Sequence, residues 1–155
     1  MTNTLATLDP GKNLAGVAHF VNGTLKRCSL IRAEGPLAVG NQASDWFNTA
    51  DYDVFLCEGQ QIYPGARAGN PNDLVPLAFC CGVVSGLVQA NVKGLVLPRV
   101  WTGGCKKEIR LARCYAELTP AEQKLLDVIK PASLRHNVLD AVAMGRWYLK
   151  QRGLI

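Results

Sequence analysis

The chain has 155 residues, 48% of them hydrophobic and 19% charged, with a formal net charge of +5. That is the size of one ordinary domain, here taken as residues 1–155, and enough to bury a core without disulfides or structural metal. The composition excludes a disordered polymer, and no apolar run approaches the roughly 20 residues that a membrane-spanning helix needs.

Asn3 to Leu8 is a short apolar run that breaks at Asp9-Pro10-Gly11, which predicts a strand closed by a turn. Gly16 to Val21 predicts a second strand, and Asn22-Gly23 is a strong two-residue hairpin signal. Thr24 to Arg32 supplies the third strand, so the chain opens with an antiparallel meander. Asn41 to Thr49 predicts a short helix. Val54 to Cys57 is an unbroken apolar run ending at Glu58, the pattern of a strand buried on both faces. Gly59 to Asn72, with its Gly, Pro, Asn and Arg, predicts a loop.

Asp73 to Ala90 predicts a long apolar helix rich in small residues, with Pro76 tolerated in the first turn. Leu95 to Leu97 predicts a short fifth strand closed by Pro98. Lys106 to Leu118 predicts a basic amphipathic helix. Thr119-Pro120-Ala121-Glu122 is a capping box that starts another helix. Leu134 to Gln151 predicts the last. The strand-helix-strand steps favour parallel pairing. The expected fold class is therefore α/β: a five-stranded mixed sheet, made of the three-stranded antiparallel meander plus two parallel strands, flanked by helices.

The six cysteines include no C-x-x-C pair and there are only two histidines, so six buried, reduced thiols are expected rather than a zinc site. Met1 to Leu8 carries no export signal, and a reducing cytoplasm is the expected compartment. The charge is unevenly placed: −2 through Val92 and +7 from Lys93 onward. A basic half beside an acidic half points to a polyanion partner next to a carboxylate site, with a solvated basic surface as the bland alternative.

Three carboxylates stand in suggestive places. Asp9 ends the first strand, Glu58 ends the fourth, and Asp140 lies in the last helix. If the first and fourth strands are parallel neighbours, Asp9 and Glu58 meet at one sheet edge, where α/β sites form. Gathering carboxylates costs energy unless a cation neutralises them, and hard oxygen donors suit Mg²⁺ or Mn²⁺. Two such ions suit phosphodiester cleavage. His136 and Asn137 share Asp140's helix face and are candidates for a further ligand or for positioning the attacking water. Taken singly, each residue also has an ordinary reading: a turn former, a strand end, an exposed helix position, a cap. No organic cofactor is expected.

Leu8-Asp9-Pro10-Gly11 followed by Gly16, Val54 to Glu58 followed by Gln60, and Asp140-Ala141 near the C-terminus resemble, in order and spacing, the acidic motifs of RuvC-like Holliday junction resolvases. Pro98 to Arg110, with Trp101, Gly103, Gly104, Lys106 and Lys107, resembles that family's basic segment. The resemblance spans nearly the whole chain and is nearest to phage-type members. It implies a ribonuclease H-like fold, a homodimer, and paired symmetric cleavage of four-way DNA junctions with two metal ions. It implies Asp9, Glu58 and Asp140 as metal ligands. Many members carry a further Asp where this chain has Asn137; some have His, and His136 is adjacent. For such a chain the implied setting is the nucleoid, or the host cytoplasm if phage-encoded. It also implies a role in DNA recombination and repair.

Lys106, Lys107 and Arg110 are the expected phosphate contacts. Arg67 and Tyr63, in the loop, are candidates to pry base pairs apart, and Trp101 to stack or to pack. The Asp73 to Ala90 helix is a candidate dimer face, since cleavage across a dyad calls for a two-fold dimer. Two rival readings remain: a nuclease for flaps and forks as well as junctions, and a catalytically inactive junction-binding protein. Asp9-Pro10-Gly11 also resembles the phosphate loop of actin-like sugar kinases, whose second lobe has no room in 155 residues.

Overall fold

Alternating and continuous apolar runs become five strands in one sheet. The computed structural model describes residues 3–60 and 71–155. The strands are β1 (Thr4–Asp9), β2 (Leu14–Val21), β3 (Thr24–Arg32), β4 (Tyr52–Glu58) and β5 (Ala90–Val96). Their order is β3-β2-β1-β4-β5. β1, β2 and β3 form the antiparallel meander, while β4 and β5 add parallel to β1 and to each other. The β2–β3 turn is made by Asn22 and Gly23, both at positive φ (50° and 80°), which matches the right-handed twist of a tight hairpin.

The helices are α1 (Pro36–Phe47), α2 (Leu74–Leu87), α3 (Pro98–Thr102), α4 (Lys107–Ala116), α5 (Pro120–Asp127) and α6 (Arg135–Gln151). α1 begins five residues before the expected Asn41, because Pro36 sits at its first position, where a missing N–H costs nothing. The helix expected through Ala90 ends at Leu87, and β5 is longer than the expected Leu95 to Leu97. Past Leu87, Val88, Ala90 and Val92 alternate with polar Gln89, Asn91 and Lys93, and parallel pairing with β4, from Tyr52↔Ala90 to Glu58↔Val96, extends the chain. α3 was not expected: Pro98 both ends β5 and opens a helix, which Gly103 closes in the left-handed conformation (φ 59°). The Thr119–Glu122 capping box forms at the start of α5 as expected.

Side-chain alternation divides the core between two faces. Ala6, Leu8, Val17, Phe55 and Cys57 face α1 and α2. Leu5, Ala18, Phe20 and Leu56 face the layer of α4, α5 and α6. Both faces are covered, so the sheet's central strands are apolar on each side. One cysteine expectation is corrected. Cys28, Cys80, Cys105 and Cys114 are separate thiols, but Cys57 on β4 pairs with Cys81 on α2, their Cα atoms 6.4 Å apart. A separation of 24 residues carries no motif, and only the packing of α2 on β4 brings the two together.

Candidate functional site

The strand alternation that buries Leu5 and Leu56 against α6 also aims Asp9 and Glu58 at that layer. Thr7 and Asp9 follow Leu5 on the same face of β1; Val54, Leu56 and Glu58 share the corresponding face of β4. The parallel register pairs Leu5 with Val54 and Leu8 with Cys57, so Asp9 and Glu58 lie one step on, at neighbouring strand ends. Pro10 then removes the N–H that a longer ladder would need.

α6 brings the third carboxylate. Thr7 Oγ1 donates to the Ala141 carbonyl (2.8 Å), which ties the helix to β1 beside Asp140. Gly16, the register partner of Asp9, lies under the start of α6, where a Cβ would run into the Asn137 carbonyl. Asp140 is 5% exposed, the one carboxylate within the buried apolar stretch Val138–Ala143 of α6. The signal for Thr7 was in the sequence as a polar residue between Ala6 and Leu8 in an apolar strand, two before Asp9, but its partner was not.

Electrostatics confirm the clustering. Burial, and then the negative charges of Glu58 and Asp140, push the Asp9 carboxyl well above its ordinary value, against the pull of Lys107 and Arg110. Burial also raises Glu58; the Trp101 indole opposes that, its Nε1–H donating to Glu58 Oε2 at 2.9 Å. Asp140 accepts two cations: Lys107 Nζ at 2.6 Å and Arg110 Nη2 at 2.9 Å. Among the described residues, no three metal-ligating side chains already converge on one point. Glu58 and Asp140 lie near enough to raise the proton affinity of Asp9, and Asp140 that of Glu58, while Lys107 and Arg110 offset part of the charge. This donor set, hard oxygens with insufficient counter-charge, fits a hard divalent cation.

The remaining expected residues fall as follows. His136 Nδ1 is 2.9 Å from the Ser133 carbonyl, and Asn137 Nδ2 donates to the Leu134 carbonyl at 3.1 Å. Both side chains are engaged with the turn before α6; the Asn137 backbone lies against Gly16, next to Asp9, whereas His136 is exposed. Lys106 is exposed at the N-cap of α4, and Lys107 and Arg110 follow on that helix. Trp101 is buried (6% exposed), with the Arg110 guanidinium 4.4 Å above its ring. It braces Glu58 and Arg110 rather than presenting a free face. Tyr63 and Arg67 lie outside the described residues.

No protein-family model matches the chain, and no curated protein matches its sequence. Solved structures do. Thermus thermophilus RuvC is similar at 13% identity over 97% of both chains, with a TM-score of 0.62. The T. thermophilus RuvC complex with a Holliday junction substrate is similar at 14% identity over 97% of this chain and 96% of that one, TM-score 0.63. The yeast mitochondrial Holliday junction resolvase Ydc2 is similar at 10% identity over 96% and 82%, TM-score 0.57. At these identities the likeness is one of fold: the mixed five-stranded sheet with its flanking helices is RuvC-like and ribonuclease H-like.

Proposed function

We propose that this chain is a metal-dependent endonuclease for branched DNA, resolving four-way junctions by paired phosphodiester hydrolysis. The observation that carries the reading is the parallel β1–β4 register. It sets Asp9 beside Glu58 on the face where α6 presents Asp140, within a RuvC-like fold. Asp9, Glu58 and Asp140 would hold one or two Mg²⁺ or Mn²⁺ ions, with the Asn137 side-chain oxygen as a candidate neutral fourth donor. Bound there, such ions activate water and stabilise the leaving oxygen.

The chain's own groups supply the rest. Thr7 and Gly16 fix α6 so that Asp140 faces the strand ends. Trp101 holds Glu58 in one orientation. Lys106, Lys107 and Arg110, at the start of α4, would take backbone phosphates on either side of the scissile bond, as the positive charge of the C-terminal half favours. Tyr63 and Arg67 remain candidates to open the base pairs.

Two strands related by a dyad call for two copies of the site. α2 supplies a suitable face: Val75 and Phe79 are exposed on one stripe with Gly82 and Gly86, which have open space above them. Leu95, 67% exposed and paired with Cys57 on the α2 side of the sheet, continues the apolar surface onto the edge strand β5. Pairing of this face with its copy is the homodimer of the reading.

The test is cleavage of labelled four-way junctions, Y-forks and linear duplex in Mg²⁺, Mn²⁺ or EDTA, with Asp9→Asn alongside. Paired symmetric nicks that need metal and vanish in the variant support a resolvase. Equal cutting of forks widens the substrate to branched DNA in general. One observation favours a second reading: Lys107 and Arg110 already neutralise Asp140, and Asn137 stands where a carboxylate would strengthen the site. Tight junction binding without cutting in either metal would establish that reading, a non-catalytic junction-binding protein.

A further inference from the structure

Behind the carboxylates lies a second feature, joined to them by a shared wall. α3, α4 and α6 enclose a pocket of about 250 Å³. Its wall toward the carboxylates is made of Trp101 and Arg110, whose other contacts are Glu58 and Asp140. The rest carries Arg113, Arg146, Trp147 and Lys150, with Glu117 as the acid among them. Glu117 takes Lys150 at 2.6 Å and, more loosely, Arg146 at 3.6 Å. Arg113 is exposed and has no carboxylate within ion-pair distance among the described residues. Arg110 and Arg146 each leave a buried Nε–H without an acceptor among the described residues.

Four cations line this pocket with Glu117 as its one acid; Asp140 holds Arg110 and Glu117 is shared by Lys150 and Arg146, so the exposed Arg113 and the loosely held Arg146 call for an anion. The half-buried Trp147 indole adds a surface on which a base can stack. The volume lies just under the roughly 300 Å³ at which drug-sized ligand sites begin, so it suits one nucleotide unit and not a duplex arm. We propose that this pocket is a subsite for a single unpaired nucleotide of the DNA strand next to the carboxylate site. Arg113 and Arg146 hold its phosphate, and Trp147 stacks its base. The inference rests on the nuclease reading for its source of ligand, and it adds a reason for cutting at a branch: only there is a nucleotide free to leave its helix.

The test uses ¹⁵N-labelled indole signals of the full chain, whose three tryptophans report separately. Trp46 lies across the sheet, under the Arg27 guanidinium, and serves as the control. Titration with a six-nucleotide deoxyadenylate is expected to move Trp147 and Trp101 to saturation and to leave Trp46 still. Arg113→Gln, at an exposed position, is expected to weaken that saturation about tenfold and to reduce its salt dependence by about one phosphate contact. Trp147→Leu is expected to weaken the oligonucleotide by a similar factor while inorganic phosphate binds as before. A still Trp147, or the same isotherm in Arg113→Gln, overturns the subsite. Phosphate alone reproducing the full shift at equal concentration overturns the base-stacking part. Junction cleavage is scored separately. Nucleotide binding without cutting refutes the nuclease and keeps the subsite; cutting with a silent Trp147 refutes the subsite and keeps the nuclease.

Discussion

Trp101 shows how much a single hydrogen bond can organise. Its indole N–H fixes Glu58 while its ring carries Arg110, which in turn bonds Asp140. Trp101→Phe keeps most of the packing and deletes the donor. It should lower junction cleavage about tenfold, with a stability loss of about 1.5–3 kcal/mol, the worth of a hydrogen bond to a charged group. Cleavage rates and urea midpoints measured on the same preparation check both. A different residue contributes an acid dependence of stability. Burial, then the Arg27 guanidinium, hold His19 at about 4 against its ordinary 6.5, and its Nε2 is buried without a partner among the described residues. The unfolded chain therefore takes up this proton first as pH falls. The stability owed to neutral His19 is whole above about 6.5 and is lost progressively towards 4. In His19→Gln that slope should flatten between those limits, as read from urea midpoints in a pH series. Asp9 and Glu58 were legible in the sequence because each closes an apolar run. The tasks of Trp101, Thr7 and His19 were not, since each acts through a partner at least eight residues away that only the fold supplies.

At the scale of elements, the placement of α6 on the sheet decides whether a site exists. Gly16 admits the Asn137 carbonyl and Gly145 admits the Phe20 ring, so helix and sheet approach closely at two points. Gly16→Ala should cost about 1–3 kcal/mol, the usual range for overpacking. It should reduce cleavage more than the stability loss explains, because α6 must lift Asp140 away from Asp9 to make room. Comparing residual activity well below the unfolding midpoint with the change in that midpoint separates the two effects. The bounds of β3 and the start of α5 were readable from the hairpin signal and the capping box. The α2–β5 boundary and α3 were not. Val88, Ala90 and Val92 alternate there with Gln89, Asn91 and Lys93, a short strand pattern masked by the apolar helix before it, and a single proline both ends β5 and begins α3.

Across the whole molecule, the sheet splits the chemistry as it splits the core. The α3–α6 layer carries the carboxylates and the basic side chains; the α1–α2 layer carries the exposed apolar stripe. The antiparallel meander and the α/β class were readable from turn signals and run lengths, whereas the common face of the three carboxylates depended on strand order, which no local pattern states. In the proposed dimer a second copy would lie on the side of the sheet away from α4, leaving the basic layer open to DNA. Phe79, 50% exposed at the middle of the stripe, is the sensitive position. Phe79→Glu should convert a dimer to a monomer at micromolar concentration, read by sedimentation equilibrium. Paired nicking should fall to single nicking while single-site chemistry persists. A wild-type chain that is already monomeric at that concentration would refute this face as the dimer contact.

The grip of Lys107 and Arg110 on Asp140 ties two binding events into one equilibrium. A cation seated on Asp140 displaces two basic side chains and leaves them seeking phosphate; a strand seated on those side chains leaves Asp140 seeking a cation. Each ligand thus strengthens the other by the same factor, as reciprocity of linked free energies requires. Lys107→Met would loosen that bond from one side. Calorimetry with Mn²⁺ should then show tighter binding in the absence of DNA and a smaller gain when an uncleaved junction is added. Under the proposed function, a nuclease wired in this way would hold its ions weakly until its substrate arrives, which would guard intact duplex from a permanently armed site.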